Sequence, residues 1–371
     1  MSQKQDDRRR QIALVTGADL RPSAPSGTRS YVTGLAKFLG SQGFDVDMIT
    51  NGALVEPPSG CRVRPVRELH TPSSARFQRD LRKWAASDGL EGIDLLHFHR
   101  PDDFAAFLAV GDLPPAVCTL HGNPGRGVER RHGLGYRLVY RHLERAAMAR
   151  LRAIIAIDQA TAEDYRARYP TAAERIHVVP NAVGDEWVID SSAGVRARAD
   201  GPPVFLFAGR LSVEKRVDLI IRAIAESHGL SGAKLVIAGA GPEEARLRRL
   251  ANGSEVQFLG EVLSRDLASL YRRVDALVLA SEYEGLPTVM LEALASGCPV
   301  VAMSGWGAES LLHGGRGVVA TQPQDLSGAM LEAVRMRREG QPIHLPVDFA
   351  WSRVGNRVLE IYERVWREAS A

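Results

Sequence analysis

With 371 residues, the chain is longer than one hydrophobic core usually supports, which predicts two domains. A hydrophobic fraction of 45% and a charged fraction of 25% exclude a disordered or fibrous chain, and a net charge of +3 is too small to argue for nucleic acid. Three widely spaced cysteines, Cys61, Cys118 and Cys298, exclude a disulfide scaffold, show no metal-ligand spacing and fit reduced thiols in a cytoplasm.

Residues 1–11, MSQKQDDRRRQ, lack an apolar h-region and a cleavage site, and read as a disordered tail rather than a signal. No run approaches the roughly 20 apolar residues of a membrane span. Arginine far outnumbers lysine, as in a GC-rich bacterial genome. Ile12–Thr16 reads as a strand, followed by a Pro-, Ser- and Gly-rich loop from Ala18 to Thr28. Tyr31, Leu35 and Leu39 then recur at helical spacing, Gly43 ends that helix, and Phe44–Thr50 is the next strand. This β-loop-α-β unit starts a doubly wound parallel sheet. Ligands of such sheets bind beyond the carboxyl ends of the strands. Gly27, at the helix entrance, would let a backbone N–H approach a phosphate closely, and a plain loop glycine is an equal alternative. Asp45-Val46-Asp47 matches a D-x-D pattern. Both acids fall within strand periodicity, so they read as strand-edge surface residues rather than a metal site.

Asp94–His99 is another strand end, with His97 and His99 on one side of it. An H-x-H pair can ligate zinc, but no third ligand has matching local spacing. The pair reads as packed or hydrogen-bonded histidines at the top of the sheet. Val117–Leu120 is a strand ending on His121 and Gly122, which puts a titratable side chain in the ligand zone. Residues 126–152 carry eight arginines and two acids, Glu129 and Glu144, interleaved with Tyr136, Leu138, Val139, Leu143 and Met148. They predict an amphipathic helix with a solvated basic face. The sharper reading is contact with an anionic membrane surface or an acidic acceptor. Ala153–Ile157, a helix over Ala160–Tyr169 and the run His177–Asn181 close a first domain, residues 12–183. The polar, aperiodic residues 184–202 read as a linker.

A second α/β domain, residues 203–350, opens with the strand Val204–Ala208. In the loop Gly209–Lys215 that follows, Arg210 and Lys215 can neutralise a diphosphate, one as a fork and one as a point charge. Lys234–Ala238 leads into Gly239-Ala240-Gly241, which lacks the third glycine of a dinucleotide fingerprint and precedes two acids, Glu243 and Glu244; this argues against NAD. The stretch Ser281–Val301 follows a buried-strand run, Ala276–Ala280. Pro287 suits a first helical turn, Thr288–Ala295 reads as the helix, and Gly297 and Pro299 end it. The free amides of Thr288 and Val289 would make a phosphate site. Thr288 and Glu292 lie about 6 Å apart along the axis. Carboxylates accept hydrogen bonds from sugar hydroxyls, so Glu284 just outside the helix and Glu292 within it point to a nucleotide sugar, with Glu284 on the sugar and Glu292 on the ribose. The competing reading is an ordinary helix with two surface acids. Residues 305–319, with Glu309, read as a loop and return strand, and Trp351–Trp366 as a final amphipathic helix.

These segments, in this order, resemble the family four glycosyltransferases, which have the GT-B fold. The motifs are Asp94…His97-x-His99, Thr119-Leu120-His121-Gly122, Val179-Pro180-Asn181, Gly209-Arg210-Leu211…Glu214-Lys215, and Glu284-Gly285-Leu286-Pro287…Glu292-Ala293-Leu294-Ala295 with Gly297-Cys298-Pro299. The family usually has two glycines where this chain has Ser26-Gly27, and often Phe-Gly where it has Leu286-Pro287. The resemblance implies two doubly wound Rossmann-like domains facing each other across a cleft, the first on the acceptor side and the second binding the nucleotide sugar. Residues 351–371 would return to the first domain. His121 and Glu284 would act on the reacting sugar, and Gly27, Arg210, Lys215, Glu284, Gly285, Leu286, Pro287, Thr288 and Glu292 would bind the donor. Val256–Gly260 would border the base. The implied activity is retaining, metal-independent and cofactor-free transfer of a hexose from a UDP- or GDP-sugar to an acceptor such as a small natural product, a lipid or a polysaccharide. The rivals are a same-fold epimerase or phosphorylase and a non-catalytic nucleotide-sugar binder. A glycoside hydrolase is disfavoured, because the acids track a nucleotide-type site.

Overall fold

The structure, a computed structural model, describes residues 8–18, 20, 27–52, 57–66, 74–122, 133–184, 187 and 201–371. Most of residues 184–202, and residues 126–132 of the basic stretch, lie outside these. The chain forms two compact units, one built on Thr28–Asn181 and Trp351–Ala371 with the leading strand, and one built on Ala182–Ala350.

The first unit is a seven-stranded sheet of β1 (Gln11–Thr16), β2 (Asp45–Thr50), β3 (Cys61–Pro65), β4 (Leu95–Phe98), β5 (Ala116–Leu120), β6 (Ala153–Ala156) and β7 (Ile176–Val178). All neighbours pair in parallel, in the order β3-β2-β1-β4-β5-β6-β7. Its helices are α1 (Gly27–Ser41), α2 (Ser74–Ala86), α3 (Leu134–Arg150) and α4 (Gln159–Arg168). The second unit is a six-stranded sheet of β8 (Val204–Ala208), β9 (Lys234–Ala238), β10 (Val256–Gly260), β11 (Ala276–Leu279), β12 (Val300–Met303) and β13 (Gly317–Ala320), again all parallel, in the order β10-β9-β8-β11-β12-β13. Its helices are α5 (Val217–Glu226), α6 (Glu244–Leu250), α7 (Ser264–Arg273), α8 (Thr288–Ala295), α9 (Ala308–Leu312) and α10 (Leu326–Arg338). Helices cover both faces of such sheets, so central strands are apolar on both sides. That is why β4, β5, β6 and β11 are buried at every position. Strand order reverses between β1 and β4 and between β8 and β11. The loops leaving those strands therefore diverge and open a crevice.

Two features depart from expectation. The edge strand β3 reads Cys-Arg-Val-Arg-Pro and is only partly buried, with no apolar pattern to announce it. Asp47 is not a surface residue. It is fully buried on β2, where Arg62 Nε (2.7 Å) and Arg64 (3.1 Å) of β3 neutralise it and Gln11 Nε2 donates to it at 2.5 Å. The missed strand supplies the cations that let a carboxylate sit inside a sheet.

The last helix, α11 (Trp351–Ser370), packs in the first unit through Trp351, Val354, Val358, Ile361, Tyr362 and Val365. Trp366 Nε1 donates to the Asp94 carbonyl at 3.0 Å. Close approach needs two glycines: a Cβ on Gly34 would overlap the Trp351 indole, and one on Gly355 would overlap the Phe38 ring. Gly34→Val should therefore destabilise the protein by about 1–3 kcal/mol through overpacking. Gly111→Ala, which meets open space, should stay within about 0.5 kcal/mol. Urea unfolding followed by circular dichroism checks both.

Candidate functional site

In the second unit the crevice between β8 and β11 is built from two loops, residues 209–216 and 280–287. They are tied together at three points. The Glu282 amide donates to the Glu214 carbonyl at 2.9 Å. Lys215 Nζ forms an ion pair with Glu284 Oε1, and Ser281 Oγ donates to the same oxygen at 2.7 Å. Arg216 reaches Glu282 Oε1 at 3.3 Å. Arg216 is left-handed (φ 47°, ψ 41°), a conformation that costs a side-chain-bearing residue of order 1 kcal/mol and turns the chain sharply after Lys215. Arg210 lies on the same loop and is exposed.

Gly239-Ala240-Gly241 forms the floor of this arrangement. Gly239 has φ +144°, and a Cβ there would overlap the Gly209 carbonyl. A Cβ on Gly241 would overlap the Leu211 backbone. Leu211 N donates to the Ala240 carbonyl at 3.0 Å. The glycines serve close backbone packing beneath the Arg210–Lys215 loop.

Helix α8 spans Thr288–Ala295 as expected, with Pro287 as its N-cap. The Pro287 carbonyl accepts from the Met290 amide at 3.1 Å, so the Thr288 and Val289 amides precede the first intrahelical bond. Gly285, Leu286 and Pro287 are half-buried, and Leu286 packs on the core beneath. The helix ends on Gly297 (φ +72°), whose carbonyl accepts from the buried Arg337 at 2.6 Å. Glu292 is 6% exposed, which overturns the reading of it as a surface acid. The fully buried Tyr271 of α7 donates its hydroxyl to Glu292 Oε2 at 3.1 Å. Burial and the adjacent carboxylate push the Tyr271 phenol well above its usual range, so it stays a donor. Tyr271 was not legible as a site residue. Its only signal is a hydroxyl on the apolar face of α7, beside Leu267 and Leu270.

In the first unit three imidazoles stack at the carboxyl ends of β4 and β5. His97 and His99 are buried, with ring centroids 4.6 Å apart, and His99 stacks on the half-buried His121 at 5.3 Å. His97 Nδ1 lies 2.5 Å from the Tyr362 hydroxyl of α11 and Nε2 lies 2.7 Å from Thr119 Oγ1. His99 Nδ1 and His121 Nε2 are 3.1 Å apart. Tyr31 meets His121 edge-on at 4.9 Å. The H-x-H pair is thus packed and hydrogen-bonded, as expected. Gly27 is the first residue of α1. Desolvation holds the imidazoles neutral: His97 and His121 are both lowered to about 3, and His99 well below its usual value, with the neighbouring imidazoles adding to the effect at His97 and His99.

That neutrality fixes a pH dependence. Between pH 6.5 and about 3 the unfolded chain binds protons that folded His97 and His121 do not. Their stabilising contribution is complete above pH 6.5 and is lost as pH falls toward 3, at up to about 1.4 kcal/mol per pH unit for each histidine. His97→Gln should flatten the acid limb of stability against pH, as read from urea unfolding across this window.

Residues 25–187 match the family described as "Glycosyltransferase Family 4" and residues 202–336 the family "Glycosyl transferases group 1". An uncharacterized glycosyltransferase of Methanocaldococcus jannaschii is 28% identical over 329 residues, covering 79% of this chain and 80% of that protein. Among solved structures, sucrose-phosphate synthase from Thermosynechococcus elongatus superposes with a TM-score of 0.77 at 20% identity, over 97% of this chain and 100% of that one. An Anabaena protein solved in complex with UDP-glucose superposes with a TM-score of 0.69 at 18% identity, over 97% and 99%.

Proposed function

The chain belongs to the family four glycosyltransferases and has their GT-B fold, and from that premise we propose that it moves a hexosyl group from a UDP- or GDP-sugar to an acceptor hydroxyl, with retention of configuration. The observation that carries this reading is the tied pair of loops at the β8/β11 crevice, with the Glu292-bearing helix starting at its edge.

The donor diphosphate takes the amides of Thr288 and Val289, the Lys215 ammonium and the Arg210 guanidinium, with the Gly27 amide adding to them. Glu292, held by Tyr271, accepts from the ribose hydroxyls. Lys215 and Glu284 now neutralise each other. A diphosphate competes for the ammonium and frees the Glu284 carboxylate to accept from the sugar, which His121 also contacts. In the transfer, the bond from the anomeric carbon to the diphosphate oxygen breaks and a bond to the acceptor oxygen forms on the same face. The acceptor proton passes to the departing phosphate. Cationic side chains and helix amides stabilise the leaving anion, so the reaction needs no metal. The Anabaena protein solved with UDP-glucose supports the donor class.

Thermal-shift screening against UDP, GDP, ADP and their sugars should give stabilisation by one nucleotide class. Glu292→Ala should weaken binding of that donor about 10-fold or more, and Tyr271→Phe by a smaller, roughly severalfold factor. Lys215→Ala should lower kcat by about 10- to 100-fold. Unchanged constants in all three variants would overturn the site.

A specific observation favours a lipid-proximal acceptor. Helix α3 exposes Leu134, Leu138 and Val139 at 68%, 59% and 59%, beside a depression lined by Arg141, His142, Arg145 and Arg168. Apolar residues flanked by arginines suit an anionic bilayer surface. Among the described residues no helix is long and apolar enough to cross a membrane. Phosphatidylcholine vesicles containing phosphatidylglycerol should co-sediment the protein, plain phosphatidylcholine vesicles should not, and Leu138→Glu with Val139→Glu should abolish the difference. Equal sedimentation with both vesicles, or concentration-dependent self-association through the same residues, would count against it.

A further inference from the structure

We propose that Arg337 is a positioning residue for the donor: its buried guanidinium joins the carboxyl ends of α7 and α8, and so sets Tyr271 against Glu292 and aims the first amides of α8. The inference deepens the proposed function and rests on its placement of the donor ribose on Glu292.

Arg337 stands in the last turn of α10 and is 3% exposed. Its Nη1 donates to the Gly297 carbonyl at 2.6 Å and its Nη2 to the Arg272 carbonyl at 2.9 Å. Among the described residues these carbonyls are its hydrogen-bond partners, and no carboxylate pairs with it. Burying a guanidinium costs free energy that two neutral acceptors return only in part, and an apolar side chain of similar length would pack there at less cost. What the planar fork adds is a fixed span between two acceptors.

Both acceptors are helix ends. Arg272 lies in the last turn of α7, where carbonyls have no partner within the helix. Helix α8 closes in a Schellman motif: the Cys298 amide donates to the Ala293 carbonyl at 2.8 Å and the Gly297 amide to the Leu294 carbonyl at 3.0 Å. A cation also suits the negative ends of the two helix dipoles. Arg272 directly follows Tyr271, and Gly297 caps the helix that carries Glu292. The Tyr271 hydroxyl donates to Glu292 Oε2 at 3.1 Å. The two helices are thus joined twice, across their sides by this pair and at their ends by Arg337. With eight residues, α8 is only about 12 Å long, so a shift at Gly297 is carried to the Thr288 amide. Helix α10 itself packs Leu326, Ala329, Met330 and Ala333 with α5 in one buried cluster, while Tyr271, Leu291 and Leu294 lie in another. Met336 and Arg337 carry its last turn across to that second cluster.

Carbon NMR of the full-length protein labelled at the tyrosine ring carbon bearing the hydroxyl reads the positioning without a ligand. The Tyr271 resonance, assigned by Tyr271→Phe, should move in Arg337→Lys, which keeps the charge and loses the fork. In calorimetric titration the tighter of UDP and GDP should bind Arg337→Lys about three- to tenfold more weakly, and its advantage over the matching 2′,3′-dideoxynucleotide should shrink by a similar factor. In a Glu292→Gln background the added effect of Arg337→Lys should fall below about twofold. Arg337→Gln, with one donor and no charge to bury, carries the same expectations where the lysine variant does not fold. Arg335→Gln, exposed on the same helix, should leave every reading at wild type. An unmoved Tyr271 resonance would overturn the proposal, as would a loss of affinity equal for the ribose and dideoxy nucleotides and undiminished in the Glu292→Gln background. If the resonance moves while neither UDP nor GDP binds the wild-type protein, the Arg337 frame stands and the donor-site reading falls.

Discussion

Everything at the candidate site follows from the reversal of strand order between β8 and β11. Parallel neighbours wound in opposite directions send their exit loops apart, and the gap cannot be filled by either crossover helix. In this chain the gap is bordered instead by polar contacts from loop to loop, among them the Lys215–Glu284 pair. Its neighbours are the contacts from Glu282 to Glu214 and from Arg216 to Glu282. The backbone beneath is packed closely at Gly239 and Gly241.

The sheets were legible because burial on two faces demands continuous apolar runs. Val204–Ala208 and Ala276–Leu279 could hardly be anything else. The acids and cations of the second unit were legible because loops above strand ends have no packing reason to hold them. The edge strand β3 was not legible. Arginines at alternate positions look like a polar loop until Asp47 is seen to need them inside the sheet. The same blindness explains the reading of Asp47 as a surface residue. A buried charge and its partners are separated in sequence, and no local pattern links them.

Tyr271 and Tyr362 illustrate a second limit. Each sits at a core-facing position of an amphipathic helix, where periodicity reports burial and is silent about the hydroxyl. One hydroxyl orients Glu292 and the other His97. Side chains that act through another residue leave no motif of their own, because their requirement is for a position in space and several elements could supply it.

The contribution of α11 to the first unit carries a consequence for how the protein is made. Tyr362 meets His97 across 265 positions of sequence, and Trp366 meets the Asp94 carbonyl across 272. On the ribosome these partners emerge only after the whole second sheet has left the tunnel. The second unit can reach its native state on schedule, as domains generally do during synthesis. The first must wait, with its histidine stack unsealed and the face that receives Trp351 bare, until α11 arrives. Loss of α11 would therefore be felt first in a sheet whose strands precede it by some two hundred positions.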